Sequence, residues 1–393
     1  MSKVSRSAPM PSPPQLIDSL QQCVAAEPEL LHRPAELARR VRQEAGVITD
    51  VEVLRVLRQL RDDTTGLGPL ERVMNYPGIT DVVVNGPHSV FADTGAGLAE
   101  VPVRFADDAE VRRLATRLAV GCGARLDDSQ PFADGRLERS DGTILRLHAL
   151  LSPPAEGGTC LSLRVLRQAQ TSFAELVDNG TIDPAVAPVV RDLVTAQVSF
   201  LVVGGTGSGK TTLLSALLGE ADAAQRLLVI EDTAELKPNH PHVVSLVARR
   251  SNAEGRGEIT MDALLRQALR MRPDRIIVGE IRGAEVVDLL AALNTGHDGG
   301  AGTLHANSLA EVPARMEALA ALGGLDRAAL HSQLAAAVHV VFTTERGRDG
   351  RRRLAQIGLL EGNPVRARAV WSAEGGPREG FAEFAAELSG RLS

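Results

Sequence analysis

The stretch SFLVVGGTGSGKTTLLSALLGE, residues 199–220, decides the fold of this chain. An apolar run ends in glycines, a glycine-rich loop follows, and a helical run comes next, which is the order strand, loop, helix. The loop satisfies G-x-x-x-x-G-K-[ST], a spacing that lets backbone N–H groups approach phosphate oxygens while the next helix presents its positive end. Lys210 can reach the β- and γ-phosphates of a nucleotide, and the Thr211 hydroxyl can hold Mg²⁺. The predicted nucleotide-binding residues are Gly204, Gly205, Thr206, Gly207, Ser208, Gly209, Lys210, Thr211 and Thr212.

Apolar strands alternate with helical stretches after this loop. The strands are RLLVIED at 226–232, RIIVGE at 275–280, GTLHA at 302–306 and VHVVF at 338–342. This alternation is typical of an α/β domain with a parallel sheet. We predict that this domain spans residues 169–345.

The other segments predict a second domain and less regular ends. Residues 1–14 are rich in Pro and Ser, which indicates a disordered leader. Apolar residues recur at helical spacing in 15–63, which predicts an N-terminal helical region. Strand and turn signals around one helical stretch predict a smaller α+β domain at 64–168. Residues 346–393 begin with an arginine-rich stretch and predict a partly ordered tail.

The composition excludes several classes of protein. Lys plus Arg total 43 and Asp plus Glu total 49, a net charge of −6, so no global basic field attracts nucleic acid or anionic lipid. Aromatic residues are only 3%, which leaves few platforms for stacking nucleic-acid bases. Cys23, Cys122 and Cys160 suit neither a disulfide framework nor a zinc site, which favours a reducing cytoplasm. No stretch is apolar enough to predict a transmembrane segment.

Carboxylates follow two of the predicted strands. Glu231, Asp232 and Glu235 lie at or just past the end of one strand, and Glu280 ends another. Ligands bind at this edge of parallel α/β sheets, although a solvated strand-end loop is the structural alternative. Glu280 is placed to orient water on a γ-phosphate or to contact the magnesium shell. Gly279 stands where an Asp metal partner is often found, so we expect magnesium on the loop threonine, the phosphates, water and the earlier acidic cluster.

Two histidines flank a glycine-rich turn late in the α/β domain. His297 lies in TGHD, and His305 lies in TLHAN at the end of a predicted strand. His305 could therefore sense the γ-phosphate, and a satisfied structural histidine is the alternative. A zinc site fits poorly because no thiolate neighbours the pair.

Four boxes in order resemble a known family. GGTGSGKTTLL, VIEDTAEL, ITMDALLRQALRMRPDRIIVGEIRGAE and LNTGHDGGAGTLHANS are similar to the nucleotide-binding boxes of the secretion-superfamily ATPases of type II, type IV pilus and type IV secretion systems. The likeness is closest to the tight-adherence (Flp pilus) or conjugal-transfer-like branch. The stretch GLGPLERVMNYPGITDVVVNG also resembles the start of that branch's N-terminal domain. The resemblance covers residues 66–345. It implies a RecA-like P-loop NTPase domain preceded by a smaller PAS-like α+β domain.

The resemblance also implies what particular residues do. Lys210 and Thr211 would bind phosphate and magnesium, Glu235 would position magnesium or water, Glu280 would be the catalytic carboxylate, and His305 would lie near the γ-phosphate. Arginines of the N-terminal domain complete the nucleotide site in this family. Those in matching segments are Arg136, Arg146 and Arg164, and plain surface arginines are the alternative. The zinc-binding C-x-x-C pairs of some type II members are absent from this sequence.

These inferences predict a cytoplasmic ATPase that uses ATP and Mg²⁺, forms a homo-oligomeric ring, expected to be a hexamer, and associates with the inner face of the cell membrane. Hydrolysis would rotate one domain on the other and drive an inner-membrane platform protein that adds or removes pilin-type subunits. A DNA-translocating conjugation ATPase is one alternative, although charge and aromatic content weigh against nucleic acid as a partner. A regulatory nucleotide-binding module with little turnover is another.

Overall fold

The structure is a computed structural model that describes residues 20, 27, 30, 33–45, 49–54, 56–57, 66–139, 141–166, 171–249, 256–347 and 349–392. The leader predicted at 1–14 lies outside the described residues, and the helical region predicted at 15–63 is described only in part. The chain divides into two compact units, Met1–Leu166 and Arg167–Ser393. Within the described ranges, no helix is long and apolar enough to cross a membrane.

A small helical cluster begins the first unit. Helix α1, Pro34–Ala45, starts with a proline, which is favourable there because the first turn of a helix leaves its N–H groups unbonded. Apolar side chains three or four residues apart share one face of this helix and form a core with residues outside it. That core consists of Leu20, Leu37, Val41, Ala45 and Val53.

An antiparallel sheet of six strands forms most of the first unit, in the order β3-β2-β1-β6-β5-β4. A 3-10 turn at Gly68–Leu70 leads into the short helix α2, and helix α3 connects β3 to β4. The elements are α2 Glu71–Met74, β1 Asp81–Asn85, β2 Val90–Asp93, β3 Leu98–Glu100, α3 Asp108–Gly121, β4 Phe132–Glu138, β5 Ile144–Leu150 and β6 Cys160–Leu166.

One face of this sheet is buried beneath α3 and the other is polar. In β5, Leu145, Leu147 and Ala149 are fully buried, whereas His148, which lies between the last two, is exposed. This alternation follows from the two-residue period of a strand. Helix α3 covers the apolar face with Val111 and Leu114, among others. The polar face carries the arginines that the sequence singled out.

The second unit is built on a sheet of nine strands flanked by helices. Its elements are α4 Phe173–Asp178, α5 Ala187–Thr195, β7 Phe200–Val203, α6 Lys210–Leu218, β8 Leu227–Glu231, β9 Val243–Val247, α7 Met261–Ala268, β10 Arg275–Ile281, α8 Glu285–Leu293, β11 Ala301–Leu304, α9 Val312–Leu322, α10 Arg327–Ala337, β12 Val340–Arg346, β13 Arg352–Glu361, β14 Arg366–Ser372, β15 Gly376–Pro377 and α11 Phe381–Leu392.

The strand order of this sheet is β15-β14-β13-β12-β7-β11-β10-β8-β9. The strands from β12 to β9 pair in parallel, and those from β12 to β15 pair antiparallel. Every residue of β7, β8 and β11 is buried, because helices cover both faces of the parallel part. Separate apolar cores fill the two faces, one containing Phe200 and Phe342 and the other containing Leu201 and Val341.

The segment after residue 345 continues this sheet. The boundary predicted between 345 and 346 falls inside β12, and β13 pairs with β12 from Arg352↔Arg346 to Leu359↔Val340. Helix α11 then packs on the sheet through Phe384 and Leu388, which join the same core as Phe200. Hairpin pairing and apolar burial therefore order a segment for which the sequence predicted only a partly ordered tail.

The architecture is the predicted α/β class. A RecA-like P-loop domain follows a smaller α+β domain and a short helical region. The P-loop strand β7 lies between β11 and β12, and β10 lies one strand beyond β11. Because neighbouring strands are about 4.8 Å apart, the strand that bears Glu280 is about 10 Å from the P-loop strand.

Candidate nucleotide-binding site

The loop between β7 and α6 has the backbone that phosphate binding requires. Gly204, Gly207 and Gly209 have φ angles of 154°, 73° and 99°, a region that favours glycine. A Cβ atom on Gly204 would lie 2.4 Å from the Thr344 carbonyl oxygen. The loop therefore needs glycine both for its conformation and for its close packing, and it leads directly into the N-terminus of α6.

Lys210 lies beneath this loop in the first turn of α6. Its Nζ donates to the carbonyl oxygens of Gly204, at 2.9 Å, and Gly205, at 3.0 Å. The side chain is buried, and this desolvation lowers the pKa of Lys210, while the nearby negative charge of Glu280 opposes the shift. Thr211 and Thr212 follow in the same turn and are partly buried. A cation held at the mouth of a glycine loop fits the phosphates of a nucleotide.

A hydroxyl pair anchors the loop to β12, a contact that the sequence did not predict. Ser208 Oγ donates to the Gly205 carbonyl oxygen at 2.9 Å and lies 2.8 Å from Thr344 Oγ1. Thr344 Oγ1 also lies 3.2 Å from the Val203 carbonyl oxygen, which competes with Ser208 Oγ for its one proton. Ser208 and Thr344 are both buried. The one sequence signal for this contact is that Thr344 follows the apolar run of β12.

Glu280 lies at an irregularity in β10. The pairing of β10 with β11 shifts by one residue between Val278 and Ile281. Thr303 Oγ1 donates to the Gly279 carbonyl oxygen at 2.6 Å and holds the backbone at this place. Such a bulge re-aims a side chain at the end of a strand. The Glu280 side chain is 19% exposed, at the carboxyl edge of the parallel strands.

Arg282 connects Glu280 to the acidic cluster after β8. One arm of its guanidinium forms an ion pair with Glu280 Oε2, and the other donates to Asp232 Oδ2 at 2.7 Å. The Arg282 backbone N–H donates to Glu285 Oε1 at 2.6 Å, which fixes the turn that leads into α8. Arg282 lies inside the third sequence box, where the residues alone predicted no function for it.

His305 closes the same arrangement from β11. Its Nε2 lies 3.7 Å from Glu280 Oε1 and 3.5 Å from Thr206 Oγ1. Desolvation lowers the pKa of His305, and the charge of Lys210 lowers it further, so the ring is neutral at neutral pH. His297 is not part of this group. Its Nδ1 lies 3.2 Å from the Ala292 carbonyl oxygen, at the end of α8.

Glu231 occupies the space beside Gly279. A Cβ atom on Gly279 would lie 2.5 Å from Glu231 Cγ. Glu231 Oε1 accepts the N–H groups of Glu235 and Leu236, each at 3.0 Å, whereas the buried Oε2 has no hydrogen-bond partner among the described residues. Burial raises the pKa of Glu231 to about 7 against the opposing effect of these N–H bonds. Thus the Glu231 carboxylate from β8 lies beside Gly279 of β10, the position where an Asp metal partner is often found.

The oxygen acceptors near the loop are the residues predicted to take part in Mg²⁺ binding. In the described part of the chain, no group of three or more His, Cys, Asp or Glu residues could hold a metal ion. Thr211 lies in the first turn of α6, and Glu231, Asp232 and Glu235 lie at or just past the end of β8. The predicted set, in which the loop hydroxyl binds the metal while phosphates and water supply most of the other ligands, stays a prediction.

The three predicted arginines form one row on the polar face of the first unit. Arg136 pairs with Arg146 across β4 and β5, and Arg146 pairs with Arg164 across β5 and β6. Arg164 Nε donates to Asp81 Oδ1 at 2.8 Å. Among the described residues, neither Arg136 nor Arg146 has a carboxylate partner. Like charges directly opposite each other destabilise a sheet, so this row is not explained by the folding of the unit alone.

The parallel sheet, the glycine loop with its lysine and the carboxylate edge define a RecA-like P-loop protein. The sequence model of the family described as type II/IV secretion system protein matches residues 63–349, and the chain belongs to that family. The predicted family, the secretion-superfamily ATPases, is therefore confirmed, and the tight-adherence branch stays a prediction.

Individual proteins are similar to large parts of the chain. A putative conjugal transfer protein of Mycobacterium tuberculosis H37Rv is 58% identical in an alignment of 352 residues that covers 88% of this chain and 100% of that protein. The type IV secretion system protein VirB11 of Brucella suis is 30% identical in an alignment of 267 residues that covers 62% of this chain and 73% of that protein. The ATPase DotB of Legionella pneumophila has a similar structure, with a TM-score of 0.51, 20% identity, and coverage of 73% of this chain and 78% of that one. This last likeness shows the fold alone.

Proposed function

We propose that this protein hydrolyses ATP with the help of Mg²⁺ and that hydrolysis drives a ring-shaped motor of a secretion or pilus machine. One observation carries this proposal. The carboxylate at the end of β10 reaches the phosphate loop through His305, whose Nε2 lies 3.7 Å from Glu280 Oε1 and 3.5 Å from Thr206 Oγ1. A phosphate group on the loop would therefore lie near both the cation Lys210 and the carboxylate Glu280.

Each residue of the site has a chemical task in this proposal. The loop N–H groups and Lys210 bind the phosphates and stabilise the charge that develops on the γ-phosphoryl group. Thr211 would hold Mg²⁺, which would supply positive charge to the phosphate oxygens when bound. Glu280 orients or deprotonates the attacking water, and Arg282 and His305 fix the position of its carboxylate. Glu235 and the neighbouring carboxylates position the metal shell.

The arginine row of the first unit is proposed to contact the nucleotide phosphates. Arg136 and Arg146 place two positive charges side by side without carboxylate partners among the described residues, and an anionic ligand would relieve their repulsion. This is the completion of the site that the family resemblance implies. Arg164, which pairs with Asp81, is the least available of the three for that purpose.

Family membership supports the proposed assembly and partners. We expect a homohexamer on the cytoplasmic face of the inner membrane, acting on a platform protein that moves pilin-type subunits. The putative conjugal transfer protein that is 58% identical keeps the DNA-translocating alternative open. A net charge of −6 favours the protein substrate over DNA.

ATP hydrolysis measured against protein concentration tests the proposal, with the mass of the assembly determined in parallel. Turnover should rise as the ring assembles and should vanish in Lys210→Ala and Glu280→Gln. Lys237→Ala is the matched control, since Lys237 lies outside the phosphate loop. ATP binding without turnover at any concentration would favour the regulatory module, and turnover that DNA stimulates would favour the translocase.

A further inference from the structure

The guanidinium of Arg282 lies between two carboxylates that end neighbouring strands. Glu280 belongs to β10, Asp232 directly follows β8, and these two strands pair in the sheet. Arg282 Nη1 donates to Asp232 Oδ2 at 2.7 Å, and Nη2 forms an ion pair with Glu280 Oε2. Because a guanidinium is a flat and rigid fork, one group joins the two strand ends. We call this arrangement the Glu280–Arg282–Asp232 clamp.

The backbone beneath the clamp is fixed by Glu285. Glu285 is buried in the first turn of α8, and its Oε1 accepts the N–H groups of Arg282, at 2.6 Å, and Gly283, at 2.8 Å. One carboxylate oxygen thus holds the whole turn that follows β10. The Arg282 side chain therefore starts from a rigid backbone, which is what the precise placement of a functional group requires.

The clamp gives the two oxygens of Glu280 different surroundings. Oε2 is occupied by Arg282, whereas Oε1 lies 3.7 Å from His305 Nε2, which in turn lies 3.5 Å from Thr206 Oγ1 of the phosphate loop. Burial alone would lower the pKa of Arg282, but the hydrogen bond to Glu280 and the charge of Asp232 raise it overall, so the guanidinium stays charged. Oε1 is therefore the Glu280 oxygen that faces the loop.

We infer that Arg282 and Asp232 are positioning residues that aim Oε1 of Glu280 at the water attacking the γ-phosphate. The inference rests on the proposed ATP hydrolysis and narrows it, since it gives Asp232 a task other than binding Mg²⁺. Asp232 acts through Arg282: without it, the guanidinium is held at one arm only and can rotate, and Glu280 rotates with it. A shift of about 1 Å in a catalytic group can cost about 100-fold in rate.

A double-mutant cycle on kcat tests this inference in the full-length protein. Arg282→Ala should lower kcat about 100-fold and Asp232→Ala about tenfold, with little change in KM for ATP, because the phosphate loop is intact in both. The double variant should be no slower than Arg282→Ala, because the second substitution removes a partner that is already lost. Arg282→Lys keeps the charge but cannot bridge both carboxylates, so it should recover part of the loss.

Arg368→Ala is the matched control for the loss of an ion-paired arginine. Arg368 bonds both oxygens of Glu361 and is about as exposed as Arg282. Its register partner Leu359 pairs with Val340 and Val340 with Phe200, where β7 begins, at the end of the sheet opposite the phosphate loop. This variant should keep the wild-type kcat. Unfolding followed by Trp371, the single tryptophan, checks that each variant is folded.

Four other results would overturn the inference, each in a different way. A double variant slowed by the product of the two single effects would show that Arg282 and Asp232 act independently. A raised KM for ATP with unchanged kcat in Arg282→Ala would make Arg282 a phosphate ligand. Calorimetric ADP binding that needs more Mg²⁺ in Asp232→Ala than in the wild type would make Asp232 a metal residue. A wild-type protein without turnover would refute the proposed function itself, and the clamp with it.

Discussion

Replacing Glu231 with glutamine should stabilise the second unit at high pH and leave its stability unchanged at low pH. The side chain is 3% exposed, and burial raises its pKa from 4.5 to about 7. Below pH 4.5 the carboxyl is protonated in both the folded and the unfolded state. Between pH 4.5 and 7 the unfolded chain releases the proton while the folded chain keeps it, so the free energy of unfolding falls as pH rises.

The size of this effect follows from the change in proton affinity. Each tenfold change in proton affinity is worth about 1.4 kcal/mol. Above pH 7, the free energy of unfolding of the wild-type protein should therefore be about 3 kcal/mol lower, relative to that of Glu231→Gln, than it is at low pH. The glutamine oxygen can still accept the two N–H groups that Glu231 Oε1 accepts, which keeps the local backbone in place. What differs between the variants is therefore the cost of burying a negative charge.

Urea unfolding at pH 5 and pH 8, without nucleotide or Mg²⁺, is the assay. The fluorescence of Trp371, which is buried in the second unit, reports the transition of that unit separately. Glu258→Gln is the control, because Glu258 is exposed in the same unit. A stability difference between wild type and Glu231→Gln that is the same at both pH values would refute the assignment of a buried, proton-binding carboxyl.

Two further substitutions test how the site is packed, with the same Trp371 transition as the readout. Thr344→Val should lower the free energy of unfolding by about 1–3 kcal/mol, because it removes the hydroxyl that pairs with Ser208. Thr343→Val should be neutral or stabilising, because the buried Thr343 hydroxyl has no partner in the described chain. Equal effects of the two substitutions would contradict this reasoning. Gly279→Ala should lower the urea midpoint, since its Cβ would lie 2.5 Å from Glu231 Cγ, while Gly205→Ala, which has open space, should leave it nearly unchanged.

Local sequence was sufficient for the parallel strands of the second unit and for the residues at their ends. The phosphate loop was predicted because its glycines and Lys210 are consecutive in sequence. Glu280 and His305 were predicted because each closes an apolar run, and parallel strands bring their carboxyl ends to one edge. Such inferences depend on neighbours within a few residues and on the common geometry of parallel sheets.

The supporting contacts could not be predicted, because they join residues far apart in the chain. Thr344 contacts Ser208 across 136 residues, and Arg352 contacts Gly207 across 145. The arginine-rich segment was assigned only to a partly ordered tail, because the register that places Arg352 on the loop depends on how β13 pairs with β12. Strand pairing of this kind leaves no signal at either residue alone.

The absence of an aspartate at position 279 follows from the packing between β8 and β10. Glu231 reaches across from β8 and fills the space next to Gly279, which is available only because position 279 lacks a Cβ atom. A larger residue there would displace Glu231 and the two N–H bonds that Glu231 Oε1 accepts. The glycine and the buried glutamate thus depend on each other, and a carboxylate is kept near the proposed metal position from a different strand. Because Oε2 of that carboxylate has no hydrogen-bond partner among the described residues, it is the atom with most to gain from a bound cation or its water shell.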